Sequence, residues 1–234
     1  MAHRTVKNGY QDLVTRINLM PQGAPPSELL NRILKILVEE EEAGLLAQLP
    51  IRPFTAKKAA RVWKKPLAEA QHILDRLAGR AILVDMEQKG RSVYALPPPM
   101  AGFFEFSLMR TRGDIDQKAL SELFYQYLNV EEDFVRELFA TGETQLGRVF
   151  VQEPMLPDEG PDSAAYVLDY ERATEVINTA TDIGVGMCYC RHKKEHLGEA
   201  CAAPMDICMT FNGSAQSLVK HGHARGIDRA ECLD

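Results

Sequence analysis

The chain has 234 residues, of which 45% are hydrophobic and 26% charged, a balance that excludes a disordered or fibrous polypeptide and allows one large domain or two small ones. No apolar run approaches the roughly 20 residues of a membrane helix, and the opening MAHRTVKNGYQDL lacks the apolar core and cleavage site of a secretory signal, so a cytoplasmic protein without a membrane partner is expected. The net charge of -6 is divided unevenly: residues 1–100 hold 15 Lys and Arg against 10 Asp and Glu, the remainder 12 against 23, and the acidic second part excludes a chain that coats a polyanion along its whole length.

Residues 1–26 carry a short helical pattern (Tyr10, Leu13, Val14, Ile17) and then PQGAPP, which reads as a linker. Ser27 is a good N-cap. After it Leu29, Leu30, Ile33, Leu34, Ile36 and Leu37 share one helical face, with the acidic residues 39–42 as its solvated end. FTAKKAARVWKK, with Thr55 as cap, predicts a second helix, and PLAEAQHILDRLAGRA a third, opened by Pro66 and stopped near Gly79. ILVDM and SVYAL then flank the turn EQKGR as a hairpin.

Three helices and a hairpin over residues 27–99 resemble a winged helix-turn-helix domain. The resemblance implies that the third helix faces DNA, yet that helix offers Glu69, Gln71 and His72 in place of a basic cluster. Positive charge lies instead on the second helix, at Lys57, Lys58, Arg61, Lys64 and Lys65, and on the hairpin at Lys89 and Arg91, where it suits phosphates. A solvated basic face on a packing or protein-contact domain is favoured over DNA as partner.

PPPM closes this segment. Residues 100–234 form the second, beginning with helical patterns in GFFEFSLMR, KALSELFYQYL and EEDFVRELFA whose aromatic residues are read as core. A β-like run LGRVFVQ, the loop EPMLPDEGPDS, AAYVLDY and a helix over ERATEVINTATD follow.

Four of the five cysteines, Cys188, Cys190, Cys201 and Cys208, stand as C-x-C-x10-C-x6-C, with Cys232 beyond. Such clustering favours metal ligation over a disulfide framework. If the segment is extended, Gly184, Gly186, Cys188 and Cys190 share a face, leaving room for a bulky inorganic group against the backbone. Pro204 and Cys208 are placed at the entrance of a further helical pattern, whose N-H groups would face sulfur. Four thiolates suit tetrahedral zinc as well as a 4Fe-4S cluster, but paired C-x2-C is missing and the long intervals suit a larger object. Arg191, Lys193 and Lys194 either balance the charge of such a centre or are solvated. His192, His196, His221 and His223 are read as loop or second-layer groups rather than ligands.

The run VLDYERATEVINTATDIGVGMCYCRHKKEHLGEACAAPMDIC resembles prokaryotic 4Fe-4S-binding, ferredoxin-type proteins in which C-x-C-R follows a helix and a strand; the resemblance covers about residues 145–232. It implies Cys188, Cys190, Cys201 and Cys208 as cluster ligands, with Arg191 completing C-x-C-R. It also implies a further cysteine-rich segment, so the chain, ending in a new helix that Asp228 and Glu231 cap, is expected to be a fragment. The fold class expected is α+β, an N-terminal winged helix followed by a mixed α+β iron-sulfur-binding domain. The function expected is one-electron transfer to a redox partner protein. A redox-responsive transcription regulator and a structural zinc protein are the alternatives.

Overall fold

The computed structural model describes residues 8–20, 22–139 and 172–234, so the runs LGRVFVQ, EPMLPDEGPDS and AAYVLDY lie outside the described residues. Helix α1 (Gly9–Ile17) is capped by the Asn8 side chain, which accepts the N-H groups of Tyr10 and Gln11, and α2 (Glu28–Leu37) by Ser27, which accepts from Leu30. The acidic residues 39–42 are not the end of α2, as the sequence suggests. Val38 is extended (φ -143°, ψ 149°), and Glu42 accepts the Glu39 N-H at 3.1 Å, opening a separate helix α3 (Glu40–Ala47). The Glu42 carboxylate is 3% exposed and is held by Arg80 at 2.9 Å and Arg76 at 3.1 Å.

Helices α4 (Ala56–Trp63) and α5 (Leu67–Gly79) pack on each other through a tight turn in which Lys64 takes a left-handed conformation (φ 54°). Trp63 anchors α4 by donating Nε1-H to the Leu45 carbonyl at 2.9 Å. Strands β1 (Val84–Gln88) and β2 (Arg91–Ala95) pair antiparallel around Lys89 and Gly90, both at positive φ (53° and 69°), the geometry of a two-residue hairpin turn with right-handed twist. Phe54 forms a bridge with Tyr94 of β2 ahead of α4. After kinked residues 99–103 come α6 (Phe104–Phe106), α7 (Gln117–Tyr125), which continues as a widened turn over 126–130, and α8 (Glu132–Phe139).

The closing part alternates helix and strand: α9 (Ala173–Thr179), β3 (Ile183–Met187), α10 (Tyr189–His196), β4 (Asp206–Phe211), α11 (Asn212–Lys220), β5 (Ala224–Gly226) and α12 (Arg229–Leu233). The three strands make one antiparallel sheet in the order β4-β3-β5. Asp228 caps α12 by accepting the Glu231 N-H at 2.9 Å, as the sequence indicates. The architecture is therefore mixed α+β with small sheets. Among the described residues no helix is long and apolar enough to cross a membrane.

One buried apolar cluster runs from Leu13 to Leu218 and takes in α1–α5, the hairpin, the aromatic residues of 103–134 and Tyr189. A polar latch joins its two ends. Asp85 of β1, 2% exposed, accepts Ser217 Oγ at 2.8 Å, Lys220 Nζ at 2.5 Å and pairs with His221 Nε2 at 2.9 Å, while Gln216 accepts the Glu87 N-H at 2.8 Å. Burial works to raise the Asp85 carboxyl, but hydrogen bonds from Lys220 and Ser217 and the proximity of His221 hold it below its ordinary value. Replacing Asp85 by Ala is expected to cost about 2 kcal/mol, since charge-assisted hydrogen bonds are lost while the exposed end of Lys220 is screened by water. Urea unfolding of Asp85→Ala beside Lys220→Ala, where under about 1 kcal/mol is expected, checks this.

Candidate metal centre

Helix α9 and strand β3 lead into the cysteine segment, and the strand stops at Met187. Cys188 caps α10 and Cys190 lies in its first turn, so the alternation expected to carry both thiols on one strand face ends before them. The turn sends Tyr189 inward instead, 3% exposed and edge-on to Phe124 at 6.0 Å. Cys208 sits in the middle of β4 opposite Gly186, not at a helix entrance; alternating Ile207 and Met209 on the outer side mark it as strand. Cys201 lies on the connection between α10 and β4, which the Cys188 N-H ties down by donating to the Met205 carbonyl at 2.7 Å.

The two glycines of β3 leave no room for a bound group. A Cβ at Gly186 would stand 2.8 Å from the His223 carbonyl and 3.0 Å from Met109 Cε; one at Gly184 would stand 3.1 Å from Thr210 Oγ1 and 3.2 Å from Val219 Cγ2. Their small size admits β5, α11 and the Met109 side chain, and the expectation of a cluster cradle there is corrected accordingly.

The four thiols nonetheless share one neighbourhood. Cys190 and Cys188 lie within electrostatic reach of each other and of Cys208. The Arg191 guanidinium lies beside Cys201 and Cys188, which raise its pKa, so its charge stands between the loop thiol and the helix cap. Its Nη1 is buried without a hydrogen-bond partner. Burial pushes the Cys208 thiol up to about 11, reinforced by Cys188, Glu105 and Cys190 against the Tyr189 N-H that points at it. Burial likewise raises Cys190, with Cys188 and Glu105 adding to it. Cys201 moves the other way, lowered by the Ala203 N-H and then by Arg191.

Of the other two cations near C-x-C-R, Lys193 is buried and donates to Asn129 Oδ1 at 2.8 Å, while Lys194 pairs with Glu199 and lies 4.6 Å over the Tyr125 ring. Glu105 of α6 escapes sequence reading. Its carboxyl, raised by burial, lies within electrostatic reach of Cys190 and Cys208, and nothing in the linear order of residues 85 and 103 positions apart reports that proximity.

His221 belongs to the Asp85 latch and His223 donates to the Gly79 carbonyl at 3.1 Å, so both serve packing. Cys232 lies 3.9 Å from Met209 Sδ. On the first segment Lys57, Lys58, Arg61 and Lys64 are exposed, but Lys65 is paired with Glu69 at 2.6 Å, and Gln71 bonds both Asp75 and Tyr94. Among the described residues no three His, Cys, Asp or Glu side chains converge tightly enough to hold a single metal ion. No protein-family model, curated protein or solved structure matches the chain.

Proposed function

We propose that Cys188, Cys190, Cys201 and Cys208 bind a 4Fe-4S cluster, with Arg191 donating to its sulfur atoms, and that the protein is a one-electron carrier for a redox partner protein. The observation that carries this reading is the buried, unpartnered Arg191 Nη1 among four thiols drawn from a helix cap, a loop and a strand. A donor left without an acceptor beside sulfur ligands suits an anionic, sulfide-containing group. Cys188, Cys190 and Cys208 lie within mutual electrostatic reach, Arg191 stands beside both Cys188 and Cys201, and the absence of paired C-x2-C favours a multi-atom cluster over tetrahedral zinc. When bound, such a cluster supplies reversible storage of one electron. The chain's own groups orient it: the Tyr189 N-H faces Cys208, the Arg191 charge stands beside Cys188 and Cys201, and the buried Tyr189 and Phe124 rings exclude water from one side. Free cysteines throughout agree with a reducing cytoplasm.

The α3, α4, α5 and hairpin order, with the Phe54–Tyr94 bridge, supports reading a winged helix within residues 27–99. Its wing strand β1 is occupied by the latch to α11, and the candidate DNA-facing helix has no basic cluster, which favours a packing role over DNA recognition. Anaerobically purified protein is expected to carry about four iron and four sulfide per chain, both lost in Cys188→Ala and Cys201→Ala. Stoichiometric zinc without sulfide after anaerobic reconstitution would establish the zinc alternative instead.

A further inference from the structure

Beyond the thiols, α10 carries a second group of ligand-type side chains. His192 and His196 are four residues apart and therefore share a helix face. His192 is 4% exposed, and its Nδ1 lies 2.7 Å from the Leu108 carbonyl oxygen. A carbonyl only accepts, so Nδ1 carries the proton and Nε2 keeps its lone pair; metal-ligating histidines are oriented by the same kind of outer contact. That Nε2 stands 3.1 Å from Nε2 of His196.

In the metal-free chain this contact is an N-H···N hydrogen bond, with the His196 ring as donor. The ring centroids are 4.7 Å apart and the planes 36° from parallel. Since each centroid lies about 1.15 Å behind its nitrogen, rings meeting head-on would hold their centroids roughly 5.4 Å apart for a linear hydrogen bond of this length. The shorter separation means that the rings are tilted off the N···N line and that both Nε2 atoms stay side by side. Asp116 and Glu195 add negative potential at His196, opposed by Lys118.

We propose that His192 and His196 form a two-imidazole site for a divalent transition-metal ion of the zinc class, separate from the four cysteines, with solvent completing the coordination. Imidazole pairs suit Zn2+, Ni2+ and Co2+ over Mg2+ and Ca2+. The site does not depend on the cluster assignment.

The test is Co2+ titration of the anaerobically purified full chain, followed by calorimetry and by the optical spectrum of the bound ion. Expected is one ion per chain with nitrogen and oxygen ligation and no thiolate-to-cobalt charge transfer. His196→Ala should weaken that binding at least tenfold, and Cys232→Ser, outside the four proposed cluster ligands, should leave it unchanged. His196 is the position to change, because it is half-buried whereas removal of the buried His192 ring endangers folding; His196→Gln serves if the alanine variant does not fold. Thiolate-to-cobalt bands, or binding lost in Cys232→Ser, would give the ion to the cysteines and overturn the proposal. Absence of binding would leave a hydrogen-bonded histidine pair and overturn it equally. Iron and sulfide content of His196→Ala, expected to equal that of the unaltered protein, distinguishes failure here from failure of the cluster reading.

Discussion

Acidification from pH 6.5 to pH 4 is expected to remove about 3 kcal/mol of folding stability through His223 alone. The ring is 2% exposed, its Nε2-H donates to the Gly79 carbonyl at 3.1 Å, and Nδ1 is buried with no partner. A second proton would place a charge on that side of the ring. Burial therefore lowers the value from 6.5 to about 4; Arg110, Arg112 and His221 lower it too, against the opposing bond to Gly79. Between these two values the unfolded chain binds the proton and the folded chain does not. Stability is thus complete above pH 6.5, declines as pH falls toward 4, and stops declining below it. The Asp85 latch behaves as a separate acid limb: with its carboxyl held below 3.8, its contribution is present above that value and lost only as pH falls through the lowered one. Urea midpoints from pH 7.5 to 4, converted with a common m-value, should show the first limb, and His223→Leu should flatten it. The comparison with that variant matters because Glu105, raised by burial, contributes with the opposite sign. An unchanged slope in His223→Leu would assign the acid sensitivity elsewhere.

The elements that local rules specify were legible in the residues themselves. Ser27 and the apolar face of α2, the α4 and α5 patterns, the hairpin around Lys89 and Gly90, and the Asp228 cap each depend on residues within a few positions of one another. Glu42 was not legible as a core residue. Its burial depends on Arg76 and Arg80, more than 30 positions away, although the Glu39–Glu42 spacing ahead of Ala43, Leu45 and Leu46 is a helix-start signal. At the candidate centre the clustering of cysteines points to Cys188, Cys190, Cys201 and Cys208 and the resemblance adds Arg191; Cys188, Cys190 and Cys208 lie within electrostatic reach of one another, and Arg191 lies beside Cys188 and Cys201. The faces were misjudged because the period changes from two to 3.6 between Met187 and Cys190, within three residues. The glycines of β3 were misjudged because a missing Cβ signals close approach without saying of what.

Phe104→Ala is expected to cost about 3–5 kcal/mol, the largest single-residue loss anticipated here, and to loosen the thiols without touching them. Phe104 is fully buried and stands at the centre of a ring cluster, 4.9 Å from Phe103, 5.0 Å from Phe124 and 6.4 Å from Tyr127 by ring centroids. Phe124 in turn meets Tyr189 edge-on at 6.0 Å, and Tyr189 is the residue between Cys188 and Cys190. Truncation leaves a cavity under Phe124, and an interior this tightly packed closes it only partly, so Tyr189 loses the wall that fixes the first turn of α10. The leucine variant keeps most of the volume and should lose under about 2 kcal/mol. Val135→Ala, at a side chain 44% exposed, should change stability by less than about 0.5 kcal/mol. With the proposed cluster bound, chelator-driven iron release, measured in buffer where all three variants remain folded by circular dichroism, should be fastest in Phe104→Ala and indistinguishable from the parent in Val135→Ala. Release at the parent's rate from Phe104→Ala would mean that the ring cluster supports the fold while the C-x-C-R turn holds its geometry unaided.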